Sequence, residues 1–225
     1  MIGRNTKSPQ GALAACAARA ALCAFLALSG CQKTYYTMME KVGVEKREIL
    51  SSRVHRAKES QQDAQKEFRD ALEKFQAVTG EHGGALEQRY EGLRDAYERS
   101  EAQAHEVSER IDAVEDVADA LLGEWKQELG RYEDASLRRR SEQRWRETRG
   151  EVQHLLRAMR RAEQSLDPVL RKLQDRVLYL KHNLNAAALA GLDTKLPELE
   201  RDVAHLVSEM QASIAEADRF MAQVN

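Results

Sequence analysis

Few side chains in this 225-residue sequence have the type and spacing to do chemistry. The three cysteines, Cys16, Cys23 and Cys31, all fall within the first 31 residues, so the rest of the chain can build neither an internal disulfide nor a zinc knuckle. Six histidines, His55, His82, His105, His154, His182 and His205, show no metal-ligand spacing, and no HExxH or CxxC pattern occurs. Serines lack a GxSxG turn, and glycines lack a phosphate loop. Glu109, Asp112, Glu115, Asp116 and Asp119 recur at helical spacing and read as a solvated face rather than a catalytic pair. The expectation is a protein without catalytic residues, metal or cofactor.

Two stretches could bind something. Arg138, Arg139, Arg140, Arg144, Arg146 and Arg149 cluster near the start of one helical segment. Guanidinium forks suit lipid headgroups, lipopolysaccharide phosphates or an acidic partner. The preferred alternative is intramolecular: if the chain folds back around residue 134, Glu128, Glu124 and Asp119 lie opposite Arg140, Arg144 and Arg149. The second stretch, Val177 to Ala186, mixes polar and aromatic side chains; Tyr179, Lys181, His182 and Asn185 could form a ligand or partner face. The preferred alternative there is a helix packed on two sides. Leu178, His182, Asn185 and Leu189 would form its second stripe, and the two polar residues would fix register.

Cys31 stands apart from both. Arg4 and Lys7, with Arg19 as a late positive charge, precede the apolar run Ala20 to Leu28, a secretory-signal pattern over residues 1–30. Nine apolar residues cover about 13 Å as a helix, far less than the hydrocarbon thickness of a bilayer, so the run does not span a membrane. It ends in Leu28-Ser29-Gly30-Cys31, which resembles the bacterial lipobox, in which the cysteine thiol receives a lipid before cleavage on its amino side. Cys31 is therefore expected to begin the mature chain, anchored by acyl chains such as palmitate. Several such chains make release negligible. Residues 31–37 would be a lipidated tether, in which Tyr35 and Tyr36 suit the headgroup zone. Gln32 is not the aspartate that favours inner-membrane retention in enterobacterial lipoproteins. Similarity to those lipoproteins implies the periplasmic face of an outer membrane, with the inner membrane the lesser alternative.

The elements that must position these residues are helical. Charged residues make up 32% of the chain and aromatics 5%, a composition of long helices rather than of a large globular core. Without residues 1–30 the chain keeps 32 basic against 37 acidic groups, a net charge of −5. That balance does not suit nucleic acid. A first helix, 38–79, carries Leu50, Val54, Ala57, Gln61, Ala64, Phe68, Ala71, Phe75 and Val78 at a 3.5-residue repeat, and the glycines of 79–84 break it. A second, 85–130, carries Leu86, Tyr90, Leu93, Tyr97, Ser100, Ala104, Val107, Ile111, Val114, Ala118, Leu121 and Trp125. An unslipped 3.5 period signals left-handed supercoiling.

The phase fails between Gly130 and Ser136, where Ser136 could cap a third helix. That helix, 137–191, carries Val152, Leu156, Met159, Leu166, Leu170, Leu173, Val177, Leu180, Leu184 and Ala187. Its seam continues through Pro168, which favours a kink over a break capped by Ser165 or Asp167. A last helix, 194–223, carries Leu196, Leu199, Val203, Leu206, Met210, Ala217 and Phe220. The expected fold over 38–225 is all-α, an elongated antiparallel bundle of about four long helices with heptad packing. A parallel coiled-coil dimer is the rival, and the glycine-bearing turns favour hairpins within one chain.

The segments Tyr35 to Leu50, Ser108 to Leu121, Ala135 to Gln143, Leu155 to Glu163 and Val177 to Ala186 together resemble an uncharacterised, mainly gammaproteobacterial family of lipoproteins, domain of unknown function 2959. The resemblance spans nearly all of the mature chain. It implies a helical envelope protein with no activity to carry over. The expected role is a membrane-anchored structural, spacer or adaptor element with a protein partner in the envelope, and the alternative is an envelope ligand-binding module.

Overall fold

The computed structural model describes residues 46–80, 86–183 and 185–224. The leader, the lipobox, Tyr35, Tyr36, the expected helix start at 38–45, most of the 79–84 turn and Leu184 lie outside them, as does the side chain of Ala187. The described residues hold six α-helices and a 3₁₀ turn and no strand: α1 (Lys46–Thr79), α2 (Leu86–Glu128), the turn Leu129–Arg131, α3 (Ala135–Gln164), α4 (Leu166–His182), α5 (Ala186–Asp193) and α6 (Leu196–Val224). Arg47–Asn225 form one compact unit. It is an all-α bundle, as the heptads require.

The seam explains why these helices pack. All nine α1 positions read from the 3.5-residue repeat are buried, Phe68 and Phe75 completely. In α2 the run from Leu93 through Ala118 is buried likewise, while Leu86, Tyr90, Leu121 and Trp125 toward its ends are half-buried. A straight helix drifts about 20° per heptad against such a stripe, so the helices must coil around one another to keep it inside. Burying each large aliphatic or aromatic side chain contributes about 1.5–3 kcal/mol.

Polar contacts across the helix boundaries fix the directions. Arg99 of α2 reaches Glu67 and Asp70 of α1, Gln103 donates to the Ser60 carbonyl, and Arg89 donates to the carbonyls of Ala77 and Gly80. As numbering rises in one helix it falls in the other, so α1 and α2 are antiparallel. Arg89 also caps α1, supplying donors to carbonyls that have no partner within the helix. Arg160 of α3 joins Asp112 and Glu115 of α2, and Ser108 donates to Glu163. Lys172 of α4 holds Glu198 and Asp202 of α6. Lys58 of α1 meets Asp218, and Gln76 meets Glu200, which closes the ring of four. Consecutive long helices are thus antiparallel neighbours, with α3 and α4 sharing one corner.

That corner corrects the expected continuous third helix. The helix is interrupted at Ser165 rather than kinked at Pro168. Ser165 keeps helical dihedrals (φ −80°, ψ −11°), its N–H is shared between the Arg161 and Ala162 carbonyls, and it makes no side-chain cap. Pro168 falls in the first turn of α4, where its missing N–H costs nothing. Pro197 occupies the first turn of α6 in the same way. The apolar ladder Met159, Ala162, Leu166, Val169, Leu173 crosses the interruption without a slip. The helix also ends at His182 instead of 191. Asn183 leaves helical dihedrals (φ −135°, ψ 52°), and its amide donates to the Tyr179 carbonyl at 2.9 Å, an arrangement that competes with helix continuation.

Two substitutions test the core. Phe68→Ala should cost about 3–5 kcal/mol, read as a lower urea midpoint of helical ellipticity. Gln61 is fully buried with neither amide atom hydrogen-bonded among the described residues. Gln61→Leu should therefore raise the midpoint, by about 1–3 kcal/mol.

Candidate functional site

The arginine cluster lies on the hairpin formed by α2 and α3. Asp134, in extended conformation, accepts from Ser136 N at 2.6 Å and Leu137 N at 3.1 Å and starts α3. The helix cap is thus Asp134, where Ser136 was expected. Hydrogen bonding from the Ser136 side chain, then from the Leu137 and Ser136 N–H groups, holds the Asp134 carboxyl below the usual carboxylate range. Between residues 119 and 151 only Leu129 is buried, so this end of the hairpin leaves the four-helix core.

The two tryptophans of the chain hold it together. Trp125 Nε1 donates to Ser141 Oγ at 2.9 Å, and Trp145 Nε1 donates to the Leu122 carbonyl at 2.9 Å. Lys126 and Arg149 lie 5.8 and 5.4 Å from the Trp145 ring centre, a cation–π arrangement on both sides of the hairpin. The contribution of Trp145 to this site was missed in the sequence. An indole four residues after Ser141, facing Trp125 across a turn, was the signal available.

Among the described residues, the ion pairs of these arginines run within α3 rather than across to α2. Arg144 pairs with Glu147 at 3.6 Å and Arg146 with Glu142 at 2.5 Å, both within α3. Arg138, Arg139 and Arg140 are exposed and make no side-chain hydrogen bond or ion pair among the described residues. The facing positions of α3 are Ser141, Trp145 and Thr148, which turns the arginines outward and leaves own-helix carboxylates nearer to Arg144 and Arg146. Exposed pairs of this kind contribute under about 1 kcal/mol. Tyr132 and Leu137 are also exposed here, at 40% and 48%.

The 177–186 face is likewise corrected. Val177 and Leu180 are buried, but Leu178 is 51% and Tyr179 45% exposed, and Lys181, His182 and Asn185 are exposed. Two-sided packing therefore fails, because α4 stops at His182 before a second stripe can form. Arg176, just before this face, is a buried polar side chain, 5.3 Å from the Phe75 ring centre and donating to the Lys172 carbonyl at 2.6 Å. Burial pushes its pKa down against the opposing pull of Glu198 and Asp202.

The histidines among the described residues are all exposed. His55 and His105 sit on the surface, 3.3 and 3.4 Å from Glu59 and Glu109 of their own helices. His205 shares a cleft of about 330 Å³ with Asp202 and Glu209, whose carboxylates already face Lys172 and Arg161. Among the described residues no group of three or more His, Cys, Asp or Glu side chains could hold a metal ion, and no helix is long and apolar enough to cross a membrane. A second cleft of about 330 Å³ joins Arg47 and Leu50 of α1 to Leu121, Trp125, Arg144 and Glu147. The start of α1 therefore lies at the level where the hairpin leaves the core.

Asp134→Ala should speed amide exchange at Ser136 and Leu137 at neutral pH, while Asp134→Asn, which still offers an oxygen, should not. The carboxyl is lowered on folding, so its contribution is present above the ordinary carboxylate range and is lost as pH falls through the lower folded pKa. Wild-type protection at these amides should survive mild acid and weaken only below that range.

No protein with a curated description matches the chain. A family model described as "Protein of unknown function (DUF2959)" matches residues 35–224, which span all the described helices. The chain belongs to that family.

Proposed function

We propose that the chain is a lipid-anchored protein of the bacterial envelope, on the periplasmic face of the outer membrane, whose helical bundle acts as a non-enzymatic structural, spacer or adaptor element. The observation that carries this is Leu28-Ser29-Gly30-Cys31 directly behind a basic start and an apolar run. Acyl chains on Cys31 would hold the membrane, and the exposed faces of the bundle would meet a protein partner there. Support for a mechanical rather than catalytic role comes from how the polar groups are used. Arg160, Lys172, Arg99 and Arg89 are engaged in tying one helix to the next.

A second reading is an envelope ligand-binding module. It is favoured by one observation: Arg138, Arg139 and Arg140 make no side-chain hydrogen bond or ion pair among the described residues. The face bearing Leu178, Tyr179, Lys181 and His182 is the other surface open to a partner.

Metabolic labelling with a palmitate analogue tests the anchor. The wild-type chain should take up label and fractionate with membranes, and Cys31→Ala should lose both. Unchanged labelling and fractionation of Cys31→Ala would refute the reading.

A further inference from the structure

We propose that the projecting end of the α2–α3 hairpin is a membrane-surface foot, docking on the anionic phosphate headgroups of a bilayer through Arg138, Arg139 and Arg140, with Tyr132 and Leu137 at its tip. Four features of the hairpin converge on this occupant. The first is charge: residues 128–149 hold seven arginines against five carboxylates in a chain whose net charge is −2. Two of those carboxylates are taken by Arg144 and Arg146, and Asp134 is committed to capping α3. The consecutive arginines 138–140 remain exposed and unpaired among the described residues.

The second is their position. Past the capping Asp134 no acidic residue occupies the first turn of α3, and Arg138 to Arg140 run from its first turn into its second, near the positive end of the helix dipole, which disfavours cations. Helix stability does not account for them there, whereas an external anion would offset both the dipole and their mutual repulsion. The third is the tip, where Tyr132 and Leu137 are exposed beside the arginines. Amphipathic rings and single apolar side chains next to cations suit the headgroup layer better than water.

The fourth is direction. Arg47 and Leu50, at the start of α1, line the same cleft as Trp125 and Arg144. From that level the hairpin runs on past α1, by about 15 Å for the ten residues between Leu121 and Arg131. Arg47 lies sixteen positions after Cys31, a span of at most about 55 Å. A chain tethered at Cys31 therefore enters the bundle at the end from which the arginines project. This geometry rests on the anchored reading above, while the lipid preference of the arginines does not.

Trp125 and Trp145 are the only tryptophans in the chain and both lie in the hairpin, so their fluorescence reports on the foot directly. The full-length chain, as isolated, is mixed with vesicles of phosphatidylcholine or of phosphatidylcholine with phosphatidylglycerol, each containing a headgroup nitroxide lipid. Quenching should be several-fold greater on the anionic vesicles and should fall with added salt. The triple variant R138Q/R139Q/R140Q should retain wild-type ellipticity. Its hairpin should partition to the anionic surface roughly a hundredfold more weakly, about fivefold per arginine. Equal quenching on the two vesicle types, or a triple variant quenched like wild type, would overturn the proposal. So would arginine-dependent cross-linking to an acidic protein with no lipid-dependent quenching. Flotation on phosphatidylcholine vesicles reads the acyl anchor separately. Its loss would count against the anchor alone, because arginine-dependent quenching is scored whether or not the chain is anchored.

Discussion

Everything in this structure depends on one apolar seam kept at 3.5 residues per turn. It runs through Leu50 to Val78 in α1, Leu93 to Ala118 in α2, Val152 to Leu180 across α3 and α4, and Leu199 to Phe220 in α6. Because the side chains are mostly Ala, Leu and Val, the helices approach closely. The cross-helix ion pairs sit around the seam and select direction and register. Each is too exposed to contribute much alone. The interruption at Ser165 is tolerated for the same reason: the seam passes from Ala162 to Leu166 at its usual spacing, so packing continues where the hydrogen-bond ladder does not.

Where the seam stops, the chemistry of the surface changes. Beyond Ala118 and Val152 burial falls away along the α2–α3 hairpin, and aromatic and hydroxyl groups take over the work of apolar burial. Trp125, Trp145 and Ser141 make this end a built element rather than a frayed one. Its arginines are consequently displayed from a fixed frame, which is the condition for a surface to recognise anything. Toward the other end of the bundle, Leu178 and Tyr179 are exposed just before α4 ends at His182.

The fold was legible because its signal is a period, and periods survive without knowledge of neighbours. Every α1 seam position could be read, since few alternatives compete with an Ala/Leu/Val/Phe stripe. The stripe along α3 and α4 was read in the wrong phase at two places. Leu155-Leu156 and Val169-Leu170 are adjacent apolar pairs, so either phase satisfies the pattern; packing buries Leu155 and Val169 and leaves Leu156 and Leu170 half-buried. Asp134 and Ser136 are both good caps two positions apart, and only the backbone angles choose between them. The arginine pairings were not legible, because a long side chain reaches several carboxylates and the facing register decides which is nearest. The polar groups of 177–186 were misassigned because their burial assumed a helix that continues, whereas a local Asn183 hydrogen bond ends it.

The central claim is that one chain folds back on itself, so that the start of α1 lies beside the root of the α2–α3 hairpin. Arg47 and Glu147, which line one cleft, are the natural positions for a pair of spin labels in a background without other thiols. Electron–electron distance measurement on that pair should give a single short distance of bundle scale, roughly 10–20 Å, unchanged when labelled chains are diluted with unlabelled ones. A long distance, or a short one that vanishes on dilution because it joins two chains, would contradict the account.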